Sequence, residues 1–417
     1  MRLDRRPLAR GPHHTYLAIW LYTGSPRAYV QFLPPGRCLV LQGLTRSAMP
    51  TPFATYFGLR DPNRTSFELV PQRDAELFVD LDNLESELQQ RLRQVAPKLV
   101  IQGDIGTGKT HILRHVERRL SPEHSLQPLY VELGGFGRRS NFRDLYVVVM
   151  SRLEALIKPV LVTLAGRRLD TLLERVELLP DVKTVFRHLA HPSDERYSFF
   201  RAWILGTGPT PTQARNLGFA GRLFEYADPS ALVAIWKFCS EAIVAAQKSR
   251  LLLLIDEGEV FSRVVDPDAQ AHIGAGLRNL FDAGNQTLGI IVGLNTPDVR
   301  QGVHPFLRSD VASRVSPHKI GLRPLESPER IRSFYEKLWQ HLSGTPLLPL
   351  LNKSAAHLLG QRALQMHAAI TAEPRSATVT QRKIVQILDY IGQRAFETAT
   401  PHPISERALT SWFNLTA

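Results

Sequence analysis

"LVIQGDIGTGKTHILRHVERRL", residues 99–120, runs from a short apolar stretch through a glycine-rich turn into a segment with helical periodicity. The turn, Gly103-Asp104-Ile105-Gly106-Thr107-Gly108-Lys109-Thr110, is a full match to G-x-x-x-x-G-K-[ST]. Each fixed slot has a physical task. Glycines let the amide N–H groups turn inward around phosphates, and the helix that follows aims the positive end of its dipole at the same place. Lys109 is spaced to reach the β- and γ-phosphates as a point charge, the Thr110 hydroxyl to hold Mg²⁺, and His111 closes the stretch expected to contact the nucleotide. A chain of this length would contain such a string by chance about one time in a hundred. The context adds to it: a strand is expected over 98–102, and Ile112, Leu113, Val116 and Leu120 share one face of a helix that Ser121-Pro122 should end.

A phosphate turn needs a carboxylate at the end of a neighbouring buried strand. "RLLLLIDEGEV", residues 250–260, offers one: four leucines and Ile255 carry the chain through a sheet, and Asp256 emerges at the carboxyl edge where ligands of open α/β sheets bind. Asp256 is expected to hold Mg²⁺, and Glu257 to polarise an attacking water as general base. Glu259 could substitute for Glu257, but reads better as a solvated acid at a helix start.

Working outward, Leu81, Leu84, Leu88, Leu92 and Val95 follow helical spacing in "DLDNLESELQQRLRQVA", which Pro97 stops. "PLYVEL" at 128–133 reads as a second strand closed by Gly134-Gly135. Residues 141–247 read as mostly helical, interrupted by a loop, "GTGPTPTQARNLG". "TLGIIVGLN", ending at Asn295, is another buried strand. After Pro324 only helices are expected, starting at Ser327-Pro328-Glu329, an N-cap followed by proline at the first helical position. This divides the chain into residues 1–48, a P-loop body over 49–323 with a helical insertion at about 141–247, and a helical region over 324–417.

No Asn-Lys-x-Asp string for guanine occurs, since "NKSA" at 352–355 lacks the acid, and the serine-glycine-glycine signature of transporter-type ATPases is missing. ATP is therefore expected rather than GTP. A P-loop, an acidic strand, a strand with a polar end and an all-helical tail together resemble the AAA+ ATPases, in their origin-recognition-like branch. The resemblance implies an α/β P-loop fold with a parallel sheet and a helical lid. It also implies that Asn295, with Thr296 in reserve, senses the γ-phosphate. Arginines after that strand would serve a neighbouring subunit's ATP: "HPFLRSDVASRVSPHKIGLRPLESPERI" supplies Arg314, with Arg308 as alternative. A lid arginine would serve the chain's own ATP, and Glu373-Pro374-Arg375 supplies Arg375 where the family often has Gly-x-Pro-Arg.

Asp256 follows Lys109 by 147 positions, about twice what a minimal core of this kind needs, so roughly 80 to 100 helical residues are inserted after the second strand. That insertion, with "FFRAWILGTGPTPTQARNLG" inside it, resembles the ATP-binding proteins of BREX-type phage-defence loci. The implied function is Mg²⁺-dependent ATP hydrolysis coupled to assembly, or to a step on DNA, in phage defence or mobile-element biology. The alternative is a nucleotide-gated oligomerisation or binding switch with negligible turnover. A metabolic nucleotide kinase fits less well, because of the helical tail. Expected partners are copies of the chain or partner ATPase and effector proteins.

Composition bounds these readings. With 43% apolar and 22% charged residues the chain reads as an ordinary globular protein. Cys38 and Cys239 form no metal-ligand or redox spacing, which fits a reducing, cytoplasmic setting. Apolar runs such as residues 16–22 and 251–255 fall short of the roughly 20 residues of a membrane span. The net charge of +12 invites a nucleic-acid partner, but seven arginines, no lysine and one acid in residues 1–48 supply +6 of it. That segment reads either as a basic arm or, preferably, as a poorly ordered tail or sequence upstream of a start at Met49. Direct DNA contact is thereby left open.

Overall fold

The computed structural model describes residues 52–282, 286–296, 309–344, 349–371 and 378–414. Five strands form one parallel sheet: β1 (Lys98–Gly103), β2 (Leu126–Glu132), β3 (Arg250–Asp256), β4 (Gly289–Asn295) and β5 (Lys319–Gly321), in the order β2-β3-β4-β1-β5. The apolar runs that mark β1, β3 and β4 are buried on both faces, as strands in a covered parallel sheet must be. Successive side chains part to opposite faces: Leu99, Ile101, Leu252 and Leu254 join the helix after the phosphate turn, while Val100, Leu251, Leu253 and Ile255 join the inserted helices.

Several elements differ from the expectation at their ends. The helix expected from residue 80 begins at Leu84, because the Asp80 carboxylate accepts the amides of Leu84 and Glu85 at 2.8 and 3.1 Å and holds the chain outside the helix before them. Leu88 and Leu92 are buried, whereas Val95 lies beyond the helix and is exposed. The helix after the phosphate turn (Lys109–His115) does not stop at Ser121-Pro122. It continues through a π turn (Val116–Leu120) and a last turn (Ser121–Glu123) that takes Pro122 in its opening positions, where a missing N–H is tolerated. β2 begins two residues early, at Leu126, and β5, of only three residues, was not expected at all.

The insertion is helical as expected: Phe142–Leu164, Arg167–Arg175, Pro180–Leu189, Tyr197–Ile204, Leu223–Tyr226 and Pro229–Gln247 cover one face of the sheet. The stretch read as a loop contains a further helix, Pro211–Asn216. Its signal was Thr210-Pro211-Thr212-Gln213, a capping box in which the Thr210 hydroxyl and the Gln213 side chain exchange bonds with each other's backbone. Aromatic residues of the insertion pack its core. Trp203 is buried and donates to Gly221 O at 2.9 Å, and Tyr146 stacks on Trp236 and donates to Ile204 O at 2.8 Å. By length and hydropathy Pro229–Gln247 could cross a membrane, yet it packs Trp236, Phe238 and Ile243 into this core.

Beyond β5 come the helices Pro328–Leu342, Lys353–Thr371, Gln381–Glu397 and Glu406–Asn414. Their core includes Phe53, Phe57 and Phe67, so the first described helix (Phe53–Phe57), placed with the P-loop body on sequence grounds, packs with the C-terminal helices instead. Short bridges, Leu59 to Ser343 and Leu325 to Val379, reinforce that packing. Between this cluster and the P-loop helix sits a buried ion pair. Arg64 and Asp74 have side chains 3% and 5% exposed, and Asp74 also accepts from Arg73 at 3.0 Å and from the Val70 amide at 2.8 Å. Asp74→Ala leaves the Arg64 guanidinium buried without its carboxylate, and a loss of about 3–5 kcal/mol in unfolding free energy is expected in a urea titration.

Candidate nucleotide-binding site

The phosphate turn leaves β1 at Gly103. Gly106 and Gly108 adopt φ of 86° and 97°, the left-handed region that glycine enters without strain. Gly106 has a second constraint: a Cβ there would lie 2.9 Å from Thr380 Oγ1 and 3.1 Å from Arg382 Cβ, so the start of the Gln381–Glu397 helix closes directly on the turn. Thr107 fastens the turn to itself, its amide and hydroxyl donating to Asp104 O at 3.2 and 2.8 Å. Lys109 is 8% exposed, and its ammonium donates to the carbonyls of Gly103 and Asp104 at 2.9 and 2.8 Å. Burial lowers its pKa to about 8, against the opposing pull of the Glu259, Asp256 and Asp104 charges. Ile105 stands exposed at the tip and Thr110 is half-buried. His111, counted with the nucleotide contacts on sequence grounds, is a half-buried side chain near Asp74, and burial lowers its pKa.

β3 delivers Asp256 to the same edge, 4% exposed. Its Oδ2 accepts the Tyr130 hydroxyl at 2.7 Å and its Oδ1 the Glu257 amide at 2.9 Å. Gly293 on β4 leaves room for that carboxylate, since a Cβ there would sit 3.2 Å from Oδ1. Glu257 turns the chain out of the strand at φ 59°, the left-handed region again, and its carboxylate reaches the backbone at Gly134. Burial, with the neighbouring Glu132, Asp256 and Glu259 charges, holds its pKa above the ordinary carboxylate value. That shift makes it a stronger proton acceptor.

β4 ends at Asn295, which pairs in register with Gly103, and the next amide, Thr296, donates to Gly103 O at 3.1 Å. Glu259 is not the solvated acid its sequence suggested. It accepts from the Asn295 side-chain amide and, at 3.2 Å, from the Asn295 backbone. Its turn, Gly258–Arg263, lies on β4 because Gly258 has no side chain; a Cβ would come within 2.6 Å of Leu294 and 2.7 Å of Val292. The acid-glycine-acid spacing of Glu257, Gly258 and Glu259 was the available signal. Tyr130 was missed as well, because an aromatic in a β-strand reads as core.

Of the three arginines expected to matter, Arg314 is exposed on the Ser309–Val315 helix, while Arg308 and Arg375 lie outside the described residues. A different arginine stands at the turn. The Arg382 amide donates to Gly106 O at 3.0 Å, and its guanidinium charge is near enough to act on Lys109. Its place in the first turn of the helix that follows Thr380 was the sequence signal.

The order β5-β1-β4-β3-β2, with a phosphate turn after β1, acids after β3 and helices after β5, gives an α/β fold of the P-loop kind, a parallel sheet covered by helices and followed by a helical C-terminal region. No protein-family model and no curated protein matches the chain. Among solved structures it is similar to the Aeropyrum pernix ORC1 protein in complex with DNA, at 15% identity and TM-score 0.40, covering 82% of this chain and 65% of that one. It is also similar to Cdc6p from Pyrobaculum aerophilum, at 12% identity and TM-score 0.40, covering 83% and 66%. A chain of the E. coli MS115-1 HORMA:CdnC:Trip13 complex matches at 12% identity and TM-score 0.35, covering 81% and 94%. The chain thus spans just under two thirds of the length of the first two.

Proposed function

We propose that this chain binds ATP with Mg²⁺ at the carboxyl edge of β1, β4 and β3 and hydrolyses it. One observation carries the reading: three adjacent strands bring the phosphate turn, the Asp256-Glu257 pair and Asn295 to one edge, tied by Thr296 to Gly103 and by Gly293 beside Asp256. The turn amides and Lys109 hold the phosphates, Glu257 takes the proton of the attacking water, and Asn295 contacts the γ-phosphate. Asp256 and Thr110 offer the all-oxygen donors that suit Mg²⁺, which would neutralise charge developing on the phosphates. Among the described residues no group of three or more His, Cys, Asp or Glu side chains is placed to hold a metal. Phosphate oxygens and water would supply the cation's remaining ligands. Arg382 serves the chain's own nucleotide, the role the sequence assigns to Arg375, and the exposed Arg314 serves a neighbouring copy or partner ATPase.

Hydrolysis would drive assembly, or a step on DNA, in phage defence or mobile-element biology. That setting rests on the insertion's sequence and on Arg314. Turnover per chain that rises with protein concentration and falls in Arg314→Ala supports shared sites; a flat profile removes them. Turnover so slow that neither DNA nor concentration alters it would favour a nucleotide-gated switch. Glu259→Ala frees the Asn295 amide to rotate, and a displaced γ-phosphate contact is expected to slow turnover about ten- to a hundredfold in a phosphate-release assay while ATP affinity stays near that of the wild type.

A further inference from the structure

We propose that Tyr130 and Arg114 form a brace that sets the metal-binding geometry of the site, Tyr130 acting as a positioning residue for Asp256. The inference rests on the nucleotide-site reading above. Tyr130 lies on β2 in register with Leu254, two residues short of Asp256, and points to the face of the sheet that carries the P-loop helix, where it is buried with Leu113 and Leu254. From there its hydroxyl donates to Asp256 Oδ2. The ring's other attachment is to the helix: the Arg114 guanidinium stacks over it, 3.3 Å from the centroid, and is held in turn by Glu117 at 2.8 Å. Arg114 follows Thr110 by four residues, so the two share a face of the P-loop helix.

The phenol therefore spans the two elements that carry the expected metal-binding groups, the strand with Asp256 and the helix with Thr110. A carboxylate has about four lone-pair positions. Tyr130 and the Glu257 amide take one on each oxygen, which fixes the rotation of the carboxylate and leaves the others for a metal-bound water. Without the hydroxyl the carboxylate is free to turn. Phosphate binding by the turn amides and Lys109 does not depend on that rotation, so the brace acts on the cation and not on the nucleotide alone.

The test is a titration of the full chain with a fluorescent ATP analogue, in Mg²⁺ and in EDTA, followed by a Mg²⁺ titration at fixed analogue. Tyr130→Phe keeps the stacked ring and removes only the hydroxyl. It is expected to raise the half-saturating Mg²⁺ concentration about tenfold, with affinity in EDTA unchanged. Arg114→Met keeps the hydroxyl and loses the stacked plane, and should move the same midpoint about threefold; it also carries the test if Tyr130→Phe does not fold. An unmoved midpoint, or equal weakening with and without Mg²⁺, overturns the brace. If the wild type itself binds equally in Mg²⁺ and EDTA, or Lys109→Ala binds as the wild type does, the nucleotide-site reading fails and the brace fails with it. A Mg²⁺-responsive wild type whose variants keep the wild-type Mg²⁺ midpoint sinks the brace alone.

Discussion

Lys109→Ala is expected to weaken ATP binding by at least about thirtyfold, the lower end of the 2–5 kcal/mol that a desolvated charge partner is worth, and to bring turnover to background. The expectation follows from where the ammonium sits. At 8% exposure it has little water, and its bonds go to the carbonyls of Gly103 and Asp104 in its own turn. Phosphate oxygens placed inside the turn replace those neutral acceptors with charged ones, and charge-assisted bonds are about twice as strong. The same burial gives the control. Because burial lowers the pKa of this lysine to about 8, the charged form is disfavoured in the fold, and its removal should not cost stability. Isothermal titration with ATP should therefore show lost binding while the melting temperature of the nucleotide-free chain holds. Retained binding contradicts the site; lost binding together with a large fall in melting temperature would mean that the substitution had damaged the turn itself.

What the sequence disclosed about this site, and what it hid, divides along the reach of the interactions. The phosphate turn, Asp256 and Asn295 were legible because each is announced by its own neighbours: a glycine string after one apolar run, an acid or an amide at the end of another. β5 has only three residues, Lys319–Gly321, and exists because β1 offers it an edge; three residues carry no periodicity of their own. Tyr130 becomes a partner of Asp256 only through the register of β2 on β3, across 126 positions of chain. Arg382 reaches the turn only because the C-terminal helices fold back on Gly106, whereas the family's lid motif is matched in the sequence by Arg375. The union of Phe53, Phe57 and Phe67 with helices more than 250 residues later is likewise a matter of complementary apolar faces, which local pattern cannot pair. The helix inside "GTGPTPTQARNLG" is a different kind of miss, because its capping box was present in the string and was outweighed by glycine and proline content.

Glu257→Gln should lower turnover about 10²–10⁴-fold, the usual worth of a positioned general base, with ATP affinity unchanged and the ATP-bound form accumulating. The side chain keeps its size and loses only the ability to take a proton. Native mass spectrometry in ATP would then report whether that trapped form is an assembly of several copies. The backbone at this position supplies an independent check. Glu257 holds φ 59° as the chain leaves β3, a conformation that costs a non-glycine residue roughly 1–2 kcal/mol. Glutamine shares that cost and leaves stability near the wild type. Glycine does not, so Glu257→Gly should raise the unfolding free energy by up to about 1 kcal/mol, the smaller end of that range because glycine also adds freedom to the unfolded chain. Both variants should be equally inactive. A strained glutamate that stabilises the fold when removed, and stops turnover when removed, is kept for its chemistry; if Glu257→Gly turns over ATP at the wild-type rate, the base is another residue and Glu259 is the next to test.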